Sequence, residues 1–420
     1  MKIVLRNAKI VHKGHALHGQ RKDILIENGL IKDLDFKGTL APKTTEVISK
    51  NLHVSAGWLD LKAHLGQPGF EERETLESGS KAASAGGFTR VAVLPTNQPI
   101  TENKSTVEFI KKFGTNQLVE LLPYGAITKG CNGSDLADLY DMHNAGAVGF
   151  TDDIHHIQNP KLLQLALEYT QGFNGLVISS PLEYHVAGKG NVNEGETSTR
   201  LGLKGIPHFA EEIQVSRDLK ILEYTGGRLH FSGISSAESF AQIAKAKKKG
   251  LNVTCEIAAH LLVLNDLVLE EFDSNYKVMP PIRTEKDRRE IVKAVNAGII
   301  DAVVSDHRPQ NIENKDCEFE TAHYGMIGLQ TVFSHLIDVI KDVDLIVEKL
   351  TSGPFKVLGM PINDIKVGAK ANLTIFDPDT KWNFDKKQVL SISHNTPFMN
   401  KILIGKALGI VNGKNLHLNS

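Results

Sequence analysis

The chain has 420 residues, of which 41% are hydrophobic and 23% charged, which suits a soluble protein with one large domain and one small one. Its formal net charge of -1 creates no field that would attract nucleic acid or an anionic membrane. Three widely spaced cysteines argue against a disulfide framework and against a thiolate zinc site. We therefore expect small molecules or other proteins as partners.

The amino-terminal residues alternate like a β-strand and lack the apolar stretch of a signal peptide. No apolar run approaches the ~20 residues that are needed to cross a bilayer. We expect a cytoplasmic protein.

Short apolar runs rich in β-branched residues recur along the middle of the chain and alternate with helix-like segments. The predicted strands are 53–61, 88–95, 118–127, 147–153, 175–180, 228–235, 251–257 and 300–307. Helices are predicted between them, among others at 74–87, 160–172 and 285–298. Eight strands that alternate with helices predict a (β/α)8 TIM-type barrel. An open doubly wound sheet is the alternative, but no Gly-x-Gly-x-x-Gly follows the first strand.

The two ends of the chain have a different pattern. Residues 1–54 and 365–420 contain short alternating strands separated by turn signals such as Asn28-Gly29. Neither end is long enough to form a sound β domain alone. We expect them to form one small composite β-sandwich domain, with residues 55–364 as the barrel.

Catalytic groups of such barrels lie where the strands end. Several motifs lie in and around these positions, namely Asn193-Glu194-Gly195-Glu196, Ile206-Pro207-His208-Phe209-Ala210-Glu211-Glu212, Thr225-Gly226-Gly227, Cys255-Glu256, Pro280-Pro281-Ile282-Arg283, Gly328-Leu329-Gln330-Thr331 and Ala371-Asn372-Leu373-Thr374-Ile375-Phe376-Asp377-Pro378. In this order they resemble the type I dihydroorotases, those found in multifunctional complexes, of the amidohydrolase superfamily. The resemblance covers nearly the whole chain.

The resemblance implies interconversion of carbamoyl aspartate and dihydroorotate at a zinc centre, where the metal polarises a carbonyl and activates water. It implies a His-x-His pair after strand one, a carboxylate after strand four, histidines after strands five and six, and an aspartate after strand eight that also transfers the proton. In this chain the surviving positions are His64, Asp153 and Asp306. Lysine, serine and glycine replace the three other ligands, at Lys62, Ser180 and Gly233.

The substrate-binding positions that the resemblance implies have changed as well. Gly66 stands where the family has an arginine for the substrate carboxylate, and Met279 stands where the family has an asparagine. The motif Met-Pro-Asn-Thr-Asn-Pro has become Leu94-Pro95-Thr96-Asn97-Gln98-Pro99, so Asn97 and His64 remain as candidate substrate contacts. The family's Asp-His-Ala-Pro-His reads Asp306-His307-Arg308-Pro309-Gln310.

Lys62 bears most directly on metal binding. A protonated ammonium offers no lone pair and repels a divalent cation. Without a metal, Asp153 and Asp306 would be buried carboxylates that need a positive partner. We predict that Lys62 pairs with one or both of them and that the centre takes no cofactor. Two alternatives are a lysine that reaches the surface and a Schiff-base or general-base lysine.

The nearby histidines have alternative interpretations. His64 is either a hydrogen-bonded barrel histidine or a metal ligand. His155 and His156 follow Asp153 on a loop, and we expect them to be solvated; the alternative is that they act as replacement ligands.

Two functional interpretations follow. In the first, the chain is a non-catalytic dihydroorotase homologue of pyrimidine synthesis that acts through protein contacts, as a homo-oligomer or with an aspartate transcarbamoylase. In the second, it is an active dihydroorotase or related cyclic-amide hydrolase that uses one zinc ion held by His64, Asp153 and Asp306.

Overall fold

The computed structural model describes residues 2–40, 42, 44–115 and 117–419. The strands are β1 (Lys2–Val11), β2 (Arg21–Glu27), β3 (Leu30–Asp33), β4 (Thr45–Val47), β5 (His53–Ala56), β6 (Trp58–Ala63), β7 (Phe88–Val93), β8 (Glu120–Pro123), β9 (Val177–Ser179), β10 (Val192–Asn193), β11 (Gly205–Ile206), β12 (Leu229–Phe231), β13 (Val253–Ala258), β14 (Ala302–Val304), β15 (Asn372–Phe384), β16 (Lys401–Asn412) and β17 (Asn415–Leu418).

The helices are α1 (Leu76–Ala85), α2 (Lys104–Gly114), α3 (Leu139–Ala145), α4 (Pro160–Thr170), α5 (Tyr184–Ala187), α6 (Glu196–Leu201), α7 (Phe209–Thr225), α8 (Ala237–Lys248), α9 (His260–Val263), α10 (Glu285–Asn296), α11 (Val332–Val339), α12 (Val343–Leu350) and α13 (Ser352–Leu358). The predicted helices at 74–87, 160–172 and 285–298 correspond to α1, α4 and α10. Local signals fix their starts: Asn159 caps α4 ahead of Pro160, and Thr284 caps α10. None of the described helices has the length and apolar character needed to span a membrane.

Parallel strands form the barrel. Strands β6, β7 and β8 pair in that order, and β9, β12, β13 and β14 pair in a second run. Phe150 bridges the two runs through Gly125 and Val177, and Ala63 closes the ring with His307. The fold class is therefore confirmed. The fourth predicted strand, 147–153, contributes only the bridges at Phe150.

The strands from both ends of the chain form one sheet. Its order is β17-β16-β15-β5-β1-β2-β3, with β4 paired to β1. A separate apolar cluster covers this sheet and draws Ile3, Ile24 and Val54 from the amino-terminal end and Ile375 and Val411 from the carboxyl-terminal end. The predicted boundary after residue 54 falls inside β5.

The first predicted strand, 53–61, is divided into two. Strand β5 belongs to the end sheet and β6 to the barrel, and Gly57 joins them. A β-carbon at Gly57 would lie 2.2 Å from both Asn372 Oδ1 and Thr89 Oγ1. Glycine allows the two sheets to approach this closely, a requirement that strand periodicity does not reveal.

We expect Gly57→Ala to lower the free energy of unfolding by about 1–3 kcal/mol through overpacking at this junction. Gly172→Ala is the matched control, because a β-carbon there would meet no atom within 4 Å. Urea denaturation of both variants measures the effect. Equal stability of the two variants would contradict the assigned role of Gly57.

Candidate functional site

Lys62 on β6 and Asp306, just after β14, form an ion pair at the carboxyl ends of these two strands. Lys62 Nζ lies 3.1 Å from Asp306 Oδ1, and the two side chains are only 4% and 6% exposed. The backbone of His64 donates to the carbonyl of His307 at 2.8 Å, which fixes the two strand ends side by side. Burial opposes the lysine charge, but the carboxylates of Asp306, Glu256 and Asp153 outweigh it and raise the pKa of Lys62.

Asp153 has a different cation. Arg308 Nη2 donates to both carboxylate oxygens of Asp153, at 2.6 and 2.7 Å, and Thr96 Oγ1 donates to Oδ2 at 2.8 Å. Both charged side chains are buried. Burial would raise the pKa of Asp153, but Arg308, Lys62 and Thr96 hold it well below its ordinary value. Each of the two carboxylates therefore has its own buried positive partner.

Both aspartates have unusual backbone conformations. The φ angle is 52° at Asp153 and 46° at Asp306, in the left-handed region that residues with a β-carbon seldom occupy. Such conformations cost free energy and cluster at active sites and ligand-binding sites. The two residues thus keep a geometry typical of an active site.

His64 makes two hydrogen bonds that use both nitrogens of its ring. Nε2 donates to the carbonyl of Thr96 at 3.0 Å, and Nδ1 accepts from the amide of Gly66 at 3.3 Å. Burial and the neighbouring Arg308 lower its pKa to about 4, so the ring is neutral near pH 7. No lone pair remains for a metal in this arrangement. His64 thus stands as the hydrogen-bonded barrel histidine.

Lys62 occupies the space beside Gly233, one of the two positions where the family pattern has a histidine. A β-carbon at Gly233 would lie 3.0 Å from Lys62 Nζ, so the lysine fills the space into which a side chain from that strand would project. The carbonyl of Ser180 accepts a hydrogen bond of 2.5 Å from His156 Nδ1.

The expectation for the two loop histidines was half wrong. His155 is exposed, but His156 turns inwards and helps line the barrel mouth. Burial lowers the pKa of His156 to about 4.

Little free space remains beside the ion pair of Lys62 and Asp306. The cavity beside Lys62, His156, Ser180, Gly233 and Met279 measures about 20 Å³. Such a volume holds about one water molecule, whereas sites for small organic ligands are roughly 300–1,000 Å³.

The substrate-binding positions also differ in shape. Gly66 has φ +65°, and a β-carbon there would lie 2.4 Å from the carbonyl oxygen of Glu74, so an arginine at this position would clash with the backbone. Asn97 is buried, and its amide group has no hydrogen-bond partner among the described residues.

Several motifs that carry the family resemblance meet in a buried network beside the mouth. Glu211 accepts hydrogen bonds from the amides of Ser235 and Ser236, and from Arg283 at 3.3 Å. Arg283 also donates to Asn193 at 2.8 Å. These residues tie helix α7 and strand β10 to the loops that precede α8 and α10, which gives them a structural role.

A catalytic zinc ion takes three protein ligands and an open position. In the described part of the chain, no group of three or more His, Cys, Asp or Glu side chains is arranged to hold a metal ion. Each of the three surviving ligand positions is engaged: His64 by hydrogen bonds, Asp153 by Arg308 and Asp306 by Lys62. The residues present do not fit the metal centre that the resemblance implies.

Arg308 is the site residue that sequence reasoning missed. Its arginine stands where the family pattern has an alanine, two positions after Asp306. The sequence did contain a signal for it, because a positively charged residue that the family pattern lacks lies close to the retained carboxylate of Asp306.

Asp60 lies deeper in the same barrel and gives a prediction for pH dependence. Its oxygens accept hydrogen bonds from Ser305 N and Oγ, both at 2.7 Å, and burial raises its pKa to about 7. Because the unfolded pKa is about 4, the folded state binds an extra proton between these values. The stability that this proton contributes is complete below about pH 4 and is lost as the pH rises through about 7.

We expect Asp60→Asn to flatten the decline in the free energy of unfolding between about pH 5 and about pH 8. Urea denaturation across this range provides the measurement, with Asp316→Asn at an exposed position as the control. An unchanged slope in Asp60→Asn would contradict the assignment.

Comparisons with known proteins agree with this architecture. The family described as "Dihydro-orotase-like" matches residues 52–239. The chain is 37% identical over 421 residues to a protein named dihydroorotase from Geobacter metallireducens, covering 99% of both chains. It is 38% identical to a protein of the same name from Pelotomaculum thermopropionicum, covering 92% of this chain and 91% of the relative.

Solved structures show the same fold at lower sequence identity. L-hydantoinase (dihydropyrimidinase) from Arthrobacter aurescens superposes with a TM-score of 0.86 at 20% identity, covering 100% of this chain and 97% of that one. Dihydropyrimidinase from Brevibacillus agri gives a TM-score of 0.82 at 19% identity, covering 100% and 95%. The match to the curated relatives extends over nearly the whole of both chains, and on that ground this protein belongs to the dihydroorotase family.

Proposed function

We propose that this chain is a non-catalytic member of the dihydroorotase family that serves pyrimidine synthesis through protein contacts. The observation that carries the proposal is the double ion pair, Lys62 with Asp306 and Arg308 with Asp153. Two buried cations occupy the carboxylates that would otherwise bind zinc. Lys62 and Arg308 thus supply the positive charge that a zinc ion would otherwise supply to Asp306 and Asp153.

The pairs also account for why the carboxylates persist without a metal. An unpaired buried carboxylate is costly, and removal of one partner from a buried pair typically costs about 3–5 kcal/mol. Once Lys62 and Arg308 are present, Asp153 and Asp306 are retained for folding stability, not for chemistry.

Loss of substrate binding supports the same conclusion. The backbone at Gly66 leaves no space for a side chain, and the mouth cavity of about 20 Å³ is far below the size of a ligand site. A change confined to metal ligands could be rescued by unusual ligands. Here the metal ligands, the arginine that would bind the substrate carboxylate and a ligand-sized cavity beside Lys62 are all absent together. Binding of a metal ion alone would not restore such a site.

The remaining role in this proposal is a structural one. Retained framework residues such as Glu211 and Arg283 maintain the barrel, and the barrel presents a surface to another protein. An aspartate transcarbamoylase is the partner class that we propose, since the family resemblance points to enzyme complexes of pyrimidine synthesis. Sedimentation of the chain mixed with the aspartate transcarbamoylase of the same organism tests this contact, and independent sedimentation would contradict it.

Metal content and turnover test the loss of catalysis. We expect the purified chain, after equilibration with zinc and dialysis, to retain well under one zinc per chain. We expect no conversion of dihydroorotate above a buffer blank. The dihydroorotase of Geobacter metallireducens, prepared in parallel, is the positive control for both measurements.

Stoichiometric zinc, or turnover that depends on added metal, would overturn the proposal. Either result would favour the alternative of a dihydroorotase or related cyclic-amide hydrolase that uses one metal ion.

A further inference from the structure

A large open cavity lies where the barrel meets the sheet formed by the two ends of the chain. Its volume is about 690 Å³, within the roughly 300–1,000 Å³ of sites for small organic ligands. One wall comes from β8 and the end of α2, and the other comes from the turns after β2 and β16. We call this space the junction cavity.

Positive charge dominates the walls of the junction cavity. Lys111, Lys370 and Lys414 line it, and none of the three forms an ion pair within the described part of the chain. Arg90 is a fourth cation, and it pairs at 2.7 Å with Glu120, the one acidic side chain among the described lining residues. The whole chain has a formal net charge of -1, so this excess of positive charge is local. Like charges around a concave surface repel one another unless an anion offsets them.

Two hairpin turns bring Lys370 and Lys414 to the same rim of the cavity. A β-carbon at Gly29 would lie 2.9 Å from the backbone nitrogen of Lys414. A β-carbon at Gly413 would lie 2.8 Å from Lys370 Cε. The amide of Ala371 donates to the carbonyl of Gly29 at 2.9 Å, and its carbonyl accepts from the amide of Gly413 at 2.7 Å. The close packing of the turns therefore fixes the backbone from which both lysines project.

The guanidinium group of Arg90 is held rigidly at the wall of the cavity. Nε donates to Glu120 at 2.7 Å, and Nη2 donates to the side-chain oxygen of Asn363 at 3.0 Å. Nη1 is buried and has no hydrogen-bond partner among the described residues, which is unfavourable for a charged donor. Arg90 therefore has spare hydrogen-bonding capacity, and a guanidinium group in this state favours an anionic oxygen as a further partner.

Side-chain amides make up much of the remaining wall. They belong to Asn28, Gln117, Asn363, Asn372, Asn412 and Asn415. An amide group both donates and accepts hydrogen bonds, so it can bind hydroxyl groups and the edge of a heterocyclic base. The walls thus combine cations for an anionic group with amides for a polar, uncharged one.

We propose that the junction cavity is a binding site for phosphate, either carried by a small molecule such as a nucleoside monophosphate or free in solution. Lysine and arginine are the side chains that bind phosphate in proteins, by charge and by hydrogen bonds. The cavity shares no lining residue with the cavity beside Lys62. The inference therefore holds whether or not the centre in the barrel is catalytic.

Titration calorimetry of the full chain tests the proposal. The probes are uridine monophosphate, adenosine monophosphate, inorganic phosphate and the uncharged nucleoside uridine. We expect the nucleotides to bind with a dissociation constant of about 1 mM or lower, and uridine not to bind. Because the lysines are exposed, the affinity should fall as the ionic strength rises from about 0.05 M to about 0.3 M.

Inorganic phosphate distinguishes the two sources of the phosphate group. Weaker binding of inorganic phosphate than of the nucleotides would identify a nucleoside phosphate as the ligand, because the amides then contribute. Equal binding would identify free phosphate. Uridine that binds as tightly as its monophosphate, or no binding by any of the phosphates, would overturn the proposal.

Substitution of the rim lysines locates the binding site. We expect Lys370→Gln combined with Lys414→Gln to weaken phosphate binding by about tenfold or more, because charge-assisted contacts are lost. Lys245→Gln combined with Lys248→Gln is the matched control, since it removes the same charge from exposed positions on α8. We expect this control to bind like the wild type. Equal losses in the two double variants, or no loss in the rim variant, would overturn the proposal.

A carboxylate added to the wall gives an independent test. Leu30 lines the cavity, is 36% exposed and forms a β-bridge with Lys370. Leu30→Glu therefore places a negative charge close to this rim, and we expect it to abolish measurable phosphate binding. Leu30→Gln has a similar shape without the charge and should retain binding, and urea denaturation shows whether both variants fold. Undiminished binding by folded Leu30→Glu would contradict the assigned site.

Discussion

Arg308→Met is expected to lower the free energy of unfolding by about 3–5 kcal/mol. The substitution leaves the buried carboxylate of Asp153 with the hydroxyl of Thr96 and the more distant Lys62 as its stabilising groups. An uncompensated charge in the barrel interior either remains ionised at a large cost or takes up a proton. Equilibrium denaturation in urea at pH 7 measures the loss.

A double-mutant cycle separates the pair from the packing of the arginine stem. We expect Arg308→Met with Asp153→Asn to recover much of the stability lost in Arg308→Met alone, because both charges are then removed. Arg289→Met on the exposed face of α10 is the surface control, and we expect it to cost less than about 1 kcal/mol. Additive effects of the two substitutions would show that Arg308 and Asp153 are not coupled.

Rebuilding the ligand set of the family pattern is expected to produce a chain that binds at least one zinc ion. The variant combines Lys62→His, Ser180→His, Gly233→His and Arg308→Ala with the native His64, Asp153 and Asp306. It removes both competing cations and supplies the histidines that the family resemblance implies. With several ligands restored, zinc at a thousand times its dissociation constant should stabilise the fold by about 4 kcal/mol.

The effect of Gly233→His is expected to depend on whether Lys62 has already been replaced. Gly233→His alone places its β-carbon 3.0 Å from Lys62 Nζ and on a backbone with φ +69°, so we expect it to destabilise the chain without creating zinc affinity. The same substitution should cost less once Lys62 has become histidine. Zinc analysis after dialysis and thermal unfolding with and without zinc provide the measurements. The wild type could instead retain as much zinc as the rebuilt variant. That result would contradict the proposal that Lys62 and Arg308 supply the positive charge in place of a metal.

Much of the fold was predictable from the sequence, because local patterns encode it. Alternation of apolar runs and helix-like segments predicted the barrel, and the alternating strands at the two ends predicted a shared β domain. The motifs from Asn193 to Pro378 predicted the family, which the curated relatives confirm. Each of these inferences depends on neighbours in the chain or on motif order.

The sequence also indicated that the surviving carboxylates need a positive partner, since a buried carboxylate without a counter-charge is unfavourable. It singled out Lys62, which lies 3.1 Å from Asp306 in the structure. It did not assign Arg308 to Asp153, because these residues are 155 positions apart and meet only across the barrel mouth. Side-chain reach across a closed ring of strands is a property of the tertiary structure.

Tertiary structure alone decided three further features. Gly57 divides the first strand because two sheets meet there, and His156 turns inwards, where its ring donates to the carbonyl of Ser180. Little space remains beside Gly233 because Lys62 lies where a side chain on that residue would project. The sequence by itself determined which positions of the family's ligand pattern hold other residues. Only the packing of the barrel determined what fills their place, because packing depends on distances between residues that are remote along the chain.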